Sequence, residues 1–153
     1  MLINQFKDYL LLERNYSQLT ADAYVADVCA FSEFYEQTYD SNDLEGVNYA
    51  QIRQWIIELV NHKISNRSIN RKLSSLKAFY VYLQKTEVLL VSPMAKHKSL
   101  KVASKSKLPF SEVEVADVFK MFEEDLDTLE GLRDRLIVEL LYTTGIRLSL
   151  IHI

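Results

Sequence analysis

The stretch SNRSINRKLSSLKAFYVYLQK, residues 65–85, governs how the rest of this chain is read. Ile69, Leu73, Leu76, Tyr80 and Leu83 recur three or four residues apart and so line one face of a helix. At a rise of 1.5 Å per residue, about 20 residues make a rod of about 30 Å, enough to cross a small domain. Arg67, Asn70, Arg71, Ser74 and Lys77 occupy the opposite arc. No acid occurs between Asn61 and Thr86, whereas Lys63, Arg67, Arg71, Lys72, Lys77 and Lys85 all fall there. The plain alternative is a solvated face, but solvated faces usually mix signs and gain i,i+4 pairs, and this one forgoes them. The pattern predicts a helix with one face docked on a core and the other turned to a polyanion.

Working outward, the 153 residues hold 18 Lys+Arg and 21 Asp+Glu, a formal charge of −3. The distribution matters more than the sum. Between Leu59 and Ser111 there are eleven bases against one acid, Glu87, a local net of +10; the remainder has seven bases and twenty acids, −13. Screening acts over roughly 8–10 Å, so a charged ligand meets the local field and not the net charge. A single cysteine, Cys29, excludes an intrachain disulfide, and His62, His97 and His152 are scattered, so neither a metal site nor a cofactor is expected. No run approaches the ~18 apolar residues of a membrane span and no signal-peptide pattern opens the chain, which makes a cytoplasmic protein with no membrane partner the expectation. With three glycines and two prolines, hairpin chemistry is scarce and the fold class is expected to be all-α.

The periodicity predicts a first helix over Ile3 to Arg14, with Ile3, Phe6 and Leu10 inward. Ser17 stands where an N-cap belongs, opening a helix to about Gln37 with a core stripe of Tyr24, Val28, Phe31 and Tyr35. A polar loop, Tyr39 to Val47, turns at Gly46; Asn48 then caps a third helix to about Val60, with Ile52, Trp55, Ile56 and Leu59 inward. The basic helix is the fourth, and four helices on short connections imply a bundle.

After Lys85 the character changes. Ser92-Pro93 stops a helix, and MAKHKSLKVASKSK, residues 94–107, reads as an exposed, flexible, basic linker. Structure resumes at Leu108, with Ser111 and Glu114 as a capping box for a helix to about Glu123. A further helix, about Thr128 to Thr143, is expected to turn Leu132, Leu136, Leu140 and Leu141 inward and to end at Gly145.

Several segments in order resemble the tyrosine recombinase (phage integrase) family, nearest to its Xer type. YLLLERNYSQLTADAYVADVCAF resembles the family's opening, in which Ser-x-x-Thr precedes Tyr and Asp at helical spacing. NRSINRKLSSLKAFYVYL resembles its DNA-contacting helix, KLPFSEVEV the start of its catalytic domain, and RDRLIVELLYTTGIRLS the segment bearing its first catalytic arginine. The resemblance implies a four-helix SAM-like core-binding bundle at 1–87, a basic linker at 88–107, and at 108–153 the first helices of an incomplete, mainly α catalytic domain. It further implies cleavage and rejoining of double-stranded DNA through a 3′-phosphotyrosine, without metal or ATP, alongside other recombinase protomers in a tetrameric synapse. Arg147 matches the first catalytic arginine. The DNA-binding residues expected are Lys63, Arg67, Asn70, Arg71, Lys72 and Lys77, with Ser17 and Thr20 at a helix N-terminus and the linker lysines assisting.

The sequence departs from the family pattern after Ser149, where Leu150-Ile151-His152-Ile153 replaces an acidic continuation, and none of its nine tyrosines is nominated as nucleophile. The 153 residues are therefore expected to be catalytically inactive by themselves. Two other readings stand beside the recombinase: a free-standing, non-enzymatic DNA-binding helical module, and a protein-interaction bundle whose basic face meets an acidic protein.

Overall fold

The computed structural model describes residues 2–103, 108–122 and 127–150. Lys105, Lys107, Glu123 and His152, all part of the sequence reading, lie outside these. Every regular element among the described residues is helical, and the chain divides into two units at residues 103 and 104.

In the first unit, α1 (Leu2–Asp8) runs directly into a π-helical turn (Tyr9–Glu13) that closes on Arg14. Asn15, at φ 51°, then redirects the chain. Helix α2 (Gln18–Tyr39) is capped by Ser17, α3 (Tyr49–Asn61) by Asn48 in a capping box with Gln51, and α4 (Asn66–Lys85) by Ser65. Each cap falls at a residue whose short polar side chain can take an otherwise unpaired amide of the first turn. Helix α2 ends on Asp40, at φ 53°, and the chain bends again over residues 44–46, which include Gly46.

The expected stripes do face inward. Val28, Phe31 and Tyr35 of α2 meet Ile52, Trp55, Ile56 and Leu59 of α3 and Ile69, Leu73, Leu76, Tyr80 and Leu83 of α4 in one buried cluster. Phe6 joins it edge-on to Phe79 at 5.3 Å between ring centroids. Tyr80 is fully buried and its hydroxyl donates to the Leu44 carbonyl at 3.1 Å, which ties the loop before α3 to the central helix. Burial and the nearby Tyr35 push that phenol's pKa well up, so it stays a donor throughout the ordinary pH range.

The linker departs from expectation. Up to Ala103 it belongs to the first unit. Met94 is buried, Ser92 turns the chain by accepting from the Met94 amide, and Leu89 and Leu100 pack on the core. Composition suggested an exposed basic tract; the few apolar residues, spaced widely enough to escape notice, seat it on the bundle.

In the second unit, α5 (Glu112–Met121) starts on the Ser111–Glu114 capping box, and α6 (Leu129–Thr144) starts on Thr128 and ends on Gly145 at φ +63°. The box holds the Glu114 carboxyl below its usual range, chiefly through the Ser111 amide. Here a second expectation fails: Leu132, Leu136 and Leu140 are exposed, Leu136 by 65%, and Leu141 is only half-buried. Val115, Phe119, Val138, Leu141 and Tyr142 line one cleft between the two helices, where the Phe119 and Tyr142 rings meet edge-on at 6.0 Å between centroids. One such seam covers one stripe, and a helix bearing leucines on a wider arc is left with the rest uncovered.

Candidate nucleic-acid interface

The geometry of the basic helix is set from α2. Asp27 lies inside the bundle with its side chain 3% exposed. A buried carboxylate is costly unless its acceptor sites are filled, and here four donors fill them. Arg71 grips it with both terminal nitrogens, Nη1 to Oδ2 at 2.8 Å and Nη2 to Oδ1 at 3.0 Å. Lys72 Nζ adds a bond to Oδ1 at 3.1 Å and Ser75 Oγ one to Oδ2 at 2.8 Å. The three residues that supply them sit one and then three positions apart on a single helix, so their common acceptor fixes how α4 is turned about its axis.

Two of the expected DNA-binding residues therefore also anchor the helix. Lys72 is only 21% exposed and is turned toward α2 and α3. Arg71 is 52% exposed and, among the described residues, engages two of its five N–H donors. Asn70, also expected among the DNA-binding residues, has its amide engaged by the backbone of Leu100, donating to the carbonyl and accepting from the N–H, each at 2.9 Å.

The other expected residues remain at the surface. Arg67 and Lys77 are exposed on α4 with no hydrogen bond or ion pair among the described residues, and Lys63, at φ 58°, lies exposed in the turn before it. Ser17 caps α2 by accepting from the Thr20 amide at 3.3 Å, and the two hydroxyls are 2.9 Å apart. Arg147, in the second unit, is exposed directly after the Gly145 turn and opens a short 3-10 helix, Leu148–Leu150.

Residues 3–87 match the family model "Phage integrase, N-terminal SAM-like domain". The chain belongs to the phage integrase family of tyrosine recombinases. Its similarity extends past that domain. A tyrosine recombinase XerC from Anoxybacillus flavithermus is 37% identical over 147 residues, 96% of this chain and 48% of that protein. XerC proteins of Staphylococcus aureus (35% over 144 residues, 94% and 47%) and Listeria monocytogenes (37% over 151 residues, 97% and 49%) match likewise. The chain thus spans about half the length of the curated relatives it matches. No solved structure gives a significant match.

Two features of this integrase-family surface escaped the sequence reading. One is Asp27, whose place at i+3 from Tyr24 and one before Val28 marked it as lying beside the core stripe; a carboxylate there needs cations from another element. The other is a groove of about 280 Å³ beside α4 that brings Arg14, Lys77 and Lys85 together over Tyr9, Tyr16 and Tyr24, with no acid in its lining. Lys85 lies 5.2 Å from the Tyr9 ring centre and Arg14 5.9 Å from that of Tyr16, cation–π contacts at partly exposed sites. Arg14 follows Glu13 in sequence and lies outside the acid-free tract, so charge patterning alone did not single it out.

The geometry predicts that Arg71→Ala destabilises the domain by about 1–3 kcal/mol, the range for removing donors from a charged acceptor with little access to water. A freely exposed arginine would cost less than about 0.5 kcal/mol. Leu76→Ala, which empties a fully buried site, should cost about 2–5 kcal/mol. Urea unfolding of the three proteins gives both differences, and an Arg71→Ala protein as stable as the parent would show that the Asp27 contact contributes nothing.

Proposed function

We propose that this chain is the DNA-binding half, with the first catalytic arginine, of an enzyme that recombines double-stranded DNA at specific sites by strand cleavage and rejoining. The observation that carries the reading is the free cationic arc of α4 in a chain of this family. Lys63, Arg67 and Lys77 have no acidic partner among the described residues, and Arg71 keeps unengaged donors beside them. Lys96, Lys98 and Lys101 lie exposed in the same unit and extend the arc. A phosphate backbone is the polyanion such an arc fits: it offers regularly spaced charges, and neutralising them releases condensed counterions. Ser17 and Thr20 add hydroxyls at the start of α2.

In the proposed reaction a tyrosine hydroxyl attacks the scissile phosphorus, the 5′ oxygen leaves, and the 3′ phosphate stays on the enzyme until a second 5′ hydroxyl displaces the tyrosine. The phosphodiester energy is kept in the intermediate, so neither metal nor nucleotide is called for. Extra negative charge gathers on the phosphorane, where cationic donors are most effective. Arg147 is assigned to that charge because a planar guanidinium can hold two phosphate oxygens at once. Other recombinase protomers on the same DNA are the proposed partners.

Titration of a duplex with this chain between roughly 50 and 200 mM salt should give a log K against log[salt] slope near −4 to −5, as for about four to six neutralised phosphates. Affinity indifferent to salt would remove the DNA reading and favour a protein partner. In a polypeptide that carries the family's C-terminal half, Arg147→Ala should lower covalent adduct formation on a nicked substrate by about 10²–10³ with far less change in DNA affinity. Arg147→Lys should recover little of it, since a point charge does not reproduce a two-pronged contact. Undiminished adduct in both variants would take Arg147 out of the chemistry.

A further inference from the structure

The contact that removes Asn70 from the list of free polar groups gives it another task. Its amide is matched edge-on to the backbone of one residue: Nδ2 donates to the Leu100 carbonyl and Oδ1 accepts from the Leu100 amide, each at 2.9 Å. One turn earlier on the same face of α4, Asn66 Nδ2 donates to the Lys101 carbonyl at 2.9 Å. Two asparagines at i and i+4 thus hold the backbone of two consecutive residues, Leu100 and Lys101, thirty or more residues downstream. At its other end the segment is fixed by buried Met94 and by His97, whose Nδ1 lies 3.2 Å from the Tyr49 hydroxyl. Burial and then Lys77 keep that imidazole's pKa below its ordinary value, which suits a neutral ring in this contact. Between and beside these fixings Lys96, Lys98 and Lys101 are exposed, without an ion pair among the described residues.

We infer that Asn70 and Asn66 are positioning residues that hold the linker lysines in place beside α4, so that they meet DNA already ordered. This rests on the DNA-binding reading above. A lysine-rich segment that is loose in the free protein loses conformational freedom when it lies along a phosphate backbone, and that loss weakens binding. Here the backbone is ordered by folding. The asparagine amide is suited to this because it offers one donor and one acceptor side by side; aspartate lacks the donor and adds a repelling charge.

A clamp can be told from a phosphate contact by how binding depends on salt. Releasing the linker leaves every lysine present, so Asn70→Ala should weaken duplex binding by about 3- to 10-fold with the salt slope unchanged. Replacing Arg67 or Lys101 by alanine should instead lower the slope by roughly 1 each. Hydrogen exchange reports the clamp directly: the Leu100 amide should be protected in the parent and exposed in Asn70→Ala. The full 153-residue chain is used, and if Asn70→Ala does not fold, Asn66→Ala, which frees only the Lys101 carbonyl, takes its place with a smaller loss at unchanged slope. A released Leu100 amide with unaltered DNA affinity would overturn the inference, leaving a packing contact only. A fall in slope on Asn70→Ala would overturn it too, by showing a direct part in charge neutralisation. Failure of the parent chain to bind DNA is a separate result, and counts against the functional reading first.

Discussion

The carboxylate of Asp27, carried into the bundle on α2, sets conditions that the rest of the first unit meets. Removing a carboxylate from water costs several kcal/mol after relaxation, and the attraction of a single partner seldom offsets it. Filling both oxygens with four donors drawn from Arg71, Lys72 and Ser75 satisfies every acceptor direction. All three residues belong to α4, so the helix that carries the positive charge has one azimuth at which Asp27 is satisfied. At that azimuth Leu73, Leu76 and Tyr80 are in the core and Arg67 and Lys77 are at the surface. Hydrophobic burial supplies most of the driving force; the buried ion cluster selects which rotation of an amphipathic helix is kept.

The consequence is a division of labour among side chains of one charge. Arg71 and Lys72 are turned inward and hold the helix, while Lys63, Arg67 and Lys77 have no acidic partner among the described residues. The clamp from Asn66 and Asn70 applies the same economy to the linker, using neutral amides where a charge would compete for phosphate. Arg14 and Lys85, over the tyrosines of the flanking groove, widen the cationic surface along α4.

Much of this was legible in the sequence, and what was not had a physical reason. Ser17, Asn48 and Ser111 announce helix starts because capping is local chemistry, settled within four residues. The stripes on α2, α3 and α4 could be read because burial follows the helical period. The fate of Arg71 and Lys72 could not: nothing within a turn of them is acidic, and their partner lies more than forty residues away. Linker composition misled because lysines are counted easily, whereas one buried Met94 and two asparagine amides do the holding. On α6 the period located an apolar arc, but a period says nothing about how much of that arc a neighbour covers, and Leu136 is left exposed.

The central claim is that α4 has an anchoring arc and a phosphate-facing arc, and that DNA uses the second without disturbing the first. It is tested most directly by following the guanidinium and ammonium nitrogen resonances of the arginines and lysines by NMR as a duplex is added to the intact chain. The account predicts that Arg67 and Lys77 shift and broaden, while Lys72 holds its position and Arg71 keeps the slowed exchange of a doubly bonded guanidinium. Loss of the Arg71 and Lys72 signatures with Arg67 and Lys77 silent would contradict it, because DNA would then be taking the cations that the bundle needs for Asp27.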